Sequence, residues 1–341
     1  MTYKVAVIIP CYKASGFINN VINKVLYIKN NIKKNYDLQI YLINDNCPEK
    51  SWEEVENRDL IKIINHQSNK GVGEATITGF NYALEENCEG FIKIDADGQH
   101  NPNYLIELIP YLYSIPNFEL VLIKGTRYFS PYVSQNIPIT RRIGSLILEP
   151  IARAAISYRR LTDVANGYLA FNKNTIQYIL SPNLGKKLES RYLFESSLIQ
   201  KCSELNIEIH EFEMASRYPN GWKSSLKSGQ IIIPLIIFWF SSLFRRIVKN
   251  YILTFNLGTL FLVIGTTNFS YALKLYLTRI YSNISDGIMV SAGTSSIFTS
   301  SIIISIFAFC LFLFYDYTSG KTVKKIRFKA LLEDINSAEK R

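Results

Sequence analysis

One short apolar run in this chain ends in two carboxylates, an amide and an imidazole: "FIKIDADGQH", Phe91 to His100. Asp95 and Asp97 are two positions apart, so on extended chain both side chains leave the same face. Oxygen donors of this kind on a strand-end loop suit Mg²⁺ or Mn²⁺, which commonly bind through one or two carboxylates plus substrate phosphates. Gln99 adds an amide oxygen. A D-x-D by itself also occurs in solvated turns. Here it ends an apolar strand, precedes a helix capped by Asn101-Pro102, and falls on the same predicted rim as Asp45. The reading is a metal–diphosphate site made by Asp95, Asp97 and Gln99.

A second stretch, "NKGVGEA" (69–75), places two glycines before a helix. Glycine lets backbone N–H groups approach a phosphate or ribose, and a helix start favours anions. The third glycine of a dinucleotide fingerprint is absent, because Thr76 stands there, and the motif follows the third predicted strand. A dehydrogenase is therefore set aside. Arginines follow the fifth strand: Arg127 in "KGTRY", Arg141 and Arg142 in "TRRIGS", Arg217 in "SRYPNGWKSSLK". Arginine suits multidentate phosphate binding. For Arg142 and Lys227, contact with lipid head groups or a role in solubility weighs evenly against it. For Arg127 and Arg217, each beside an aromatic residue and a turn, phosphate binding is preferred. His66, His100 and His210 have no ligand spacing, and His66 and His210 read as structural or surface groups. Five scattered cysteines, with no CxxC pair, read as reduced cytosolic thiols.

These residues must be brought together by the elements between them. Through about residue 125, "KVAVIIP", "LQIYLIND", "IKIINH", "FIKID" and "FELVLIK" alternate with helix-period segments near 17–31, 73–86 and 102–113. Short runs rich in Ile, Val and Leu fit strands covered on both faces, and the alternation predicts an α/β fold with a mostly parallel sheet. Ligands in such sheets sit at the carboxyl ends of the strands. Pro10 to Tyr12, Asp45 and Asp95 to Asp97 each follow such an end, so one rim gathers them. Residues 137–160 predict a basic amphipathic helix that Pro150 kinks or divides, 191–205 a helix, and 207–214 a further strand.

The chain has 341 residues and a formal net charge of +10. A basic balance suits nucleic acid or an anionic membrane surface. The second half selects the membrane and excludes nucleic acid as the partner. Residues 229–250 are apolar first and basic last, as in a helix lying in a bilayer interface. The segments 252–273 and 290–315 each have about the ~20 residues a span requires. Lysines and arginines flank the pair on both outer sides, and the loop between has only Lys274 and Arg279 against Asp286. That asymmetry puts both flanks in the cytosol. The predicted organisation is an α/β domain over 1–228, an interface helix over 229–250, a two-helix membrane region over 251–316, and a basic cytosolic tail over 317–341. The start "MTYKVAVIIPCYK" is too soon polar for a secretory signal and reads as a buried strand.

Taken in order, "VIIPCYK", "LINDNCP", "NKGVGEA", "DADGQHNP", "KGTRY", "TDVANGYLAF" and "SRYPNGWKSS" resemble the family 2 glycosyltransferases with a GT-A fold. Within them the chain is similar to polyprenyl-phosphate glycosyltransferases of the dolichol-phosphate mannosyltransferase type and their bacterial undecaprenyl-phosphate relatives. The likeness covers about residues 4–228 and, more loosely, the two spans. It implies that Pro10, Tyr12, Asp45, Lys70, Gly71, Asp95 and Ala96 bind a nucleotide-sugar, and that Asp95, Asp97 and Gln99 hold Mg²⁺ or Mn²⁺. It implies further that Arg127, Arg141, Ser145 and Arg217 grip the donor diphosphate or the lipid phosphate, with Asp97, Arg127 and Arg217 central to catalysis. Two positions depart from the family pattern. Ala14 stands where an acid is common after the first-strand tyrosine, and Asn44 replaces the first acid of a common pair. The nucleotide contact is therefore assigned to Asp45.

The reaction the resemblance implies moves a sugar, with inversion, from a UDP- or GDP-sugar to a polyprenyl phosphate such as undecaprenyl phosphate. The setting is cell-envelope glycan assembly at the cytosolic face of an inner, cytoplasmic membrane. Transfer to a hydroxyl of a lipid-linked glycan, with Glu195 as base, is the alternative enzyme, and a non-catalytic membrane partner of a glycan pathway is the alternative class. A phosphate acceptor is already largely dianionic at neutral pH, its second pKa lying near ~6, and requires no general base. Glu195 is therefore left out of the catalytic set. Homo-oligomers are compatible with the family, and no heptad pattern in the chain specifies one.

Overall fold

The computed structural model describes residues 2–128, 139–182, 188–215 and 228–331, with positions 140, 141 and 228–231 described by backbone alone. In chain order the first part reads β1 (Tyr3–Cys11), α1 (Ile18–Asn31), β2 (Tyr36–Asn44), β3 (Lys62–Asn65), α2 (Val72–Glu85), β4 (Gly90–Lys93), α3 (Leu105–Ser114) and β5 (Val121–Thr126). The next elements are α4 (Ile139–Ile156), β6 (Tyr158–Arg159), β7 (Leu169–Asn172), α5 (Lys173–Leu180), α6 (Phe194–Glu204) and β8 (Glu208–Glu213). The chain continues through α7 (Ser228–Ile247), α8 (Leu257–Leu275), α9 (Tyr281–Ser285), α10 (Ala292–Ser319), β9 (Lys321–Thr322) and β10 (Lys324–Ile326). Two compact units emerge: one holds the chain up to Arg153, Arg160–Trp239 and the chain from Thr322, and the other holds Ala154–Arg159 and Phe240–Lys321.

The first unit is built on an eight-stranded sheet in the order β10-β8-β5-β7-β4-β1-β2-β3. An unbroken apolar strand needs cover on both faces, and β1, buried at every position but Lys4, lies inside the sheet between β4 and β2. α1 turns Ile18, Val21, Ile22, Val25, Leu26 and Ile28 inward. α2 lies close on the sheet: a Cβ on Gly79 would come within 2.5 Å of Ile8 Cγ2. The Asn101 side chain accepts the Asn103 N–H, with Pro102 in the first turn, so the predicted cap is present.

Three features add to the sequence expectation. β7, only four residues long, runs antiparallel between β4 and β5. An antiparallel strand begins where its parallel neighbours end, so residues 163–167 join the rim. Second, residues of the predicted basic tail form β10, parallel to β8, so the α/β unit does not close at 228. Third, α4 continues through Pro150 without dividing.

In the second unit two helices are long and apolar enough to cross a membrane: Leu257–Ser285, of 29 residues and mean hydropathy 1.2, and Ala292–Ser319, of 28 residues and mean hydropathy 2.5. Their close approach is made by small residues. Ser305 Oγ donates to Gly265 O at 2.9 Å, and a Cβ on Gly265 would meet the Phe309 ring at 2.9 Å. The first helix starts later than predicted and runs on through Arg279, so the polar connection shrinks to residues 286–291. Beside these helices Arg246 forks onto Asp316 at 2.7 and 2.8 Å, and Tyr251 Oη donates to the same carboxylate at 2.5 Å.

Candidate active site

Strands β1, β2, β4 and β5 deliver Tyr12, Asp45, Asp95 and Arg127 just past their carboxyl ends, and the turn before β7 delivers Asp163. Together they border a cleft of about 610 Å³. Of the residues expected from the sequence, Pro10, Tyr12, Asp45, Gly71, Asp95, Ala96, Asp97, Gln99, Arg127 and Ser145 all line it. Lys70 does not; its side chain is exposed and its backbone alone reaches the site. The Arg141 side chain and Arg217 lie outside the described residues.

Asp45 is buried and acts as a knot. Its carboxylate meets His66 Nδ1 at 2.7 Å and accepts Asn69 Nδ2 at 2.9 Å, Lys70 N–H at 2.9 Å and Gly71 N–H at 2.8 Å. Backbone donors fixed on a carboxylate set the 69–71 turn at the mouth of α2. Gly71 has φ +96°, and a Cβ there would come within 2.4 Å of Ser190 O, so this turn requires glycine. His66 is therefore a structural partner of a site residue, not a surface group. Asn44 explains its own departure from the acid: its amide donates to Asn65 Oδ1 at 2.8 Å and accepts the Cys47 N–H at 3.0 Å, a pairing that a carboxylate could not complete.

The D-x-D loop rests on a buried cation that the sequence passed over. Lys93, fully buried, places Nζ 2.7 Å from Asp95 Oδ1 and 2.9 Å from Glu195 Oε1. Burial pushes the Asp95 carboxyl up, but Lys93 beside it, with His100 and Arg127, outweighs burial and holds it at about 2. Burial pushes the His100 imidazole down, against the pull of Asp95 and Asp97. Its Nδ1 accepts the Asp95 N–H at 2.9 Å, which fixes the loop. Gly167 packs on this cluster: a Cβ would fall 2.5 Å from Lys93 Nζ and 2.8 Å from Asp95 Oδ2.

The donor set fits a hard divalent cation. Asp95 and Asp97 offer carboxylate oxygens, and Gln99 has a buried Nε2 without a hydrogen-bond partner. Half a turn of that amide would present its carbonyl oxygen instead, which a cation would satisfy. Among the described residues no three of His, Cys, Asp and Glu converge as a complete metal cage. A site with few protein ligands is how Mg²⁺ and Mn²⁺ are held when substrate phosphates supply the rest.

Across the cleft lining, Asp163 accepts from Arg127 Nε at 2.8 Å and Nη2 at 2.8 Å. Asp163 lay inside the quoted motif "TDVANGYLAF" but carried no assigned role, because its partner is distant in sequence. Arg191 and Tyr192 also line the cleft and were not singled out. Their only signal was position, just before the "FE" that opens α6. Glu195, left aside on the sequence, is here too.

The sequence model described as Glycosyl transferase family 2 matches residues 6–174. A UDP-N-acetylglucosamine–dolichyl-phosphate N-acetylglucosaminyltransferase of Methanococcus voltae is 30% identical over 216 residues, covering 59% of this chain and 81% of that protein. The chain belongs to the family 2 glycosyltransferases. This family 2 enzyme is also similar to a dolichol-phosphate mannosyltransferase of Pyrococcus furiosus, 27% identical over 191 residues, with 54% of this chain and 51% of that one covered. An undecaprenyl-phosphate mannosyltransferase of Micrococcus luteus is 26% identical over 144 residues, with 41% and 57% covered. Among solved structures, mannosyl-3-phosphoglycerate synthase from Rubrobacter xylanophilus superposes with a TM-score of 0.50 at 10% identity, covering 75% of this chain and 77% of that one. The fold of this family 2 glycosyltransferase is GT-A.

Proposed function

We propose that this glycosyltransferase moves a sugar from a UDP- or GDP-sugar to a polyprenyl phosphate, with inversion at the anomeric carbon, at the cytosolic face of a cytoplasmic membrane. The observation that carries the proposal is one cleft bordered both by the Asp95–Asp97–Gln99 loop and by Arg127 held in the fork of Asp163. Anionic oxygens at one place and a fixed guanidinium at another suit a reaction between two phosphate-bearing substrates. The similarity to dolichyl-, dolichol- and undecaprenyl-phosphate glycosyltransferases supports the same acceptor class.

In this proposal Tyr12 and the turn fixed by Asp45 hold the nucleoside, and Lys70 and Gly71 place backbone at its ribose or phosphate. Mg²⁺ or Mn²⁺, held by Asp95, Asp97 and Gln99, supplies neutralisation of the donor diphosphate when bound. Arg127, Arg141, Ser145 and Arg217 orient the diphosphate and the acceptor phosphate and stabilise charge as the leaving group departs. The acceptor phosphate attacks as a dianion, so positioning replaces proton removal. Glu195 favours the hydroxyl-acceptor alternative by its place in the cleft. Against that, one of its oxygens is taken by buried Lys93.

Membrane attachment is part of the same proposal. α7 exposes Ile233, Ile237, Phe240 and Phe244 at helical spacing, and α4 exposes Ile139, Ile143, Leu146 and Ile147. Stripes like these suit an interface, with the two long apolar helices as anchors. The test is transfer of label from a panel of UDP- and GDP-sugars by detergent-solubilised protein. Undecaprenyl phosphate is compared with undecaprenol as acceptor, with Mg²⁺ or Mn²⁺. Label in the organic phase with the phosphate alone supports the proposal. Label with the alcohol, or nucleotide binding with no lipid label, opposes it.

A further inference from the structure

The segment after α10 returns to the α/β sheet and is seated there by several independent contacts. β10 pairs in parallel with β8, with Lys325 opposite Glu211. Phe328 packs on Phe212, ring centroids 5.3 Å apart, and Leu331 is buried. The Glu107 carboxylate accepts the N–H groups of Lys329 and Ala330 at 2.9 and 2.7 Å. Alternation along the strand sends Lys324 over the Tyr111 ring and Lys325 to the opposite face.

On that face Lys325 Nζ meets the fully buried carboxylate of Glu211. Glu211 Oε1 accepts the Thr162 N–H at 2.8 Å and Lys124 Nζ at 3.1 Å, and Oε2 accepts Thr162 Oγ1 at 3.0 Å. Lys124 Nζ donates onward to Thr162 O at 2.7 Å, and Lys325 Nζ approaches Thr162 Oγ1 at 3.3 Å. The backbone N–H, the carbonyl and the hydroxyl of Thr162 are thus all gripped by one buried set of charges. The next residue, Asp163, has φ +50°, a left-handed conformation that a non-glycine residue keeps when its surroundings over-determine it. Asp163 is the residue that forks Arg127.

We infer that β10 orders the cleft arginine: Lys325, through Glu211 and Thr162, is a positioning residue for the Asp163–Arg127 pair. The chain that leaves the apolar helices thereby completes the site as well as the sheet. The inference deepens the proposed function where turnover is read, and stands apart from it where local order is read.

The experiment is hydrogen–deuterium exchange on the full-length protein in detergent, with thermal midpoints and turnover on the same samples. Lys325→Met removes the charge, Thr162→Val removes the hydroxyl link without unbalancing charge, Lys325→Arg restores the cation, and Lys324→Met is the neighbouring control. Both disruptive variants are expected to speed exchange of peptides spanning 161–166 selectively. They are expected to lower turnover about tenfold, with donor affinity within about twofold, because a small misplacement of a positioning group is felt in the chemical step. Lys325→Arg should recover most of both, and Lys324→Met should change neither. Unchanged exchange at 161–166 in both disruptive variants overturns the inference. So does faster exchange throughout the unit with turnover per folded molecule intact, which marks a structural staple only. No turnover in the wild-type chain counts against the transferase reading alone, because exchange at 161–166 still decides the ordering.

Discussion

Asp163 holds Arg127 at three points: its carboxylate accepts the backbone N–H at 3.0 Å, Nε at 2.8 Å and Nη2 at 2.8 Å. Asp163 itself is fixed by Asn166 Nδ2 at 2.9 Å and by donating its own N–H to Glu149 at 3.0 Å. A guanidinium held this way keeps one direction, which a flexible lysine could not do. Asp163→Asn is expected to cost about 3 kcal/mol of stability, as for a broken buried pair. It should also lower transfer more than it weakens donor binding. Denaturant unfolding and initial rates at saturating donor check both parts.

The same pair makes a pH prediction. Burial pushes the Asp163 carboxyl up, but Arg127, with Lys124 and Asn166, outweighs burial and holds it well below the usual carboxylate range. A depressed folded-state value means that the stabilisation is complete above the unfolded value of about 3.9, and is lost only as pH falls through the lower folded value. Activity lost on acidification from pH 7 to 5 must therefore come from another group. In a pH–rate series, Asp163→Asn should lower the plateau without moving the acid limb.

Gly167→Ala tests the packing under the D-x-D loop. The new Cβ would fall 2.5 Å from Lys93 Nζ and 2.8 Å from Asp95 Oδ2, inside contact distance. The expected outcome is a folded protein with Mn²⁺ affinity reduced about tenfold, in line with losses seen when groups supporting a metal ligand are disturbed. Titration of Mn²⁺ by electron paramagnetic resonance, beside a circular dichroism melt, separates the two effects.

Asp45→Ala tests the turn at α2. Without the carboxylate, the N–H groups of Lys70 and Gly71 and the His66 ring lose their shared partner. Donor KM is expected to rise about tenfold with a smaller change in kcat, the pattern of lost ground-state binding.

Glu195→Gln separates the acceptor classes. A phosphate acceptor predicts activity within about fivefold of wild type, since no proton is removed, whereas loss of a general base costs about 10²–10⁴-fold. Asp97→Asn serves as the inactive reference in the same series.

The parallel strands and the rim residues were legible because they combine unbroken Ile/Val runs with polar residues at their ends, as in "VIIPCYK" and "FIKIDADG". β7 and β10 were not: β7 carries an apolar run of only "LAF" with no branched Ile or Val in it, and "KKI" reads as a charged tail until Glu211 is seen opposite it. Lys93 was hidden for a related reason. A lysine in a strand looks like an exposed edge, and only its distances to Asp95 and Glu195 show it as the cation between two acids. His66 and Asp163 depend on contacts across 21 and 36 positions, which no local pattern encodes.

The most direct test of the central claim is mass spectrometry of the lipid fraction after incubating wild-type protein and Asp97→Asn with UDP- and GDP-sugars, undecaprenyl phosphate and Mn²⁺. The account predicts a lipid whose mass is that of the acceptor plus one glycosyl residue on the phosphate, present with wild type and absent with Asp97→Asn. Sugar found on a hydroxyl, or nucleoside diphosphate released with no glycosylated lipid phosphate from any donor, would contradict it.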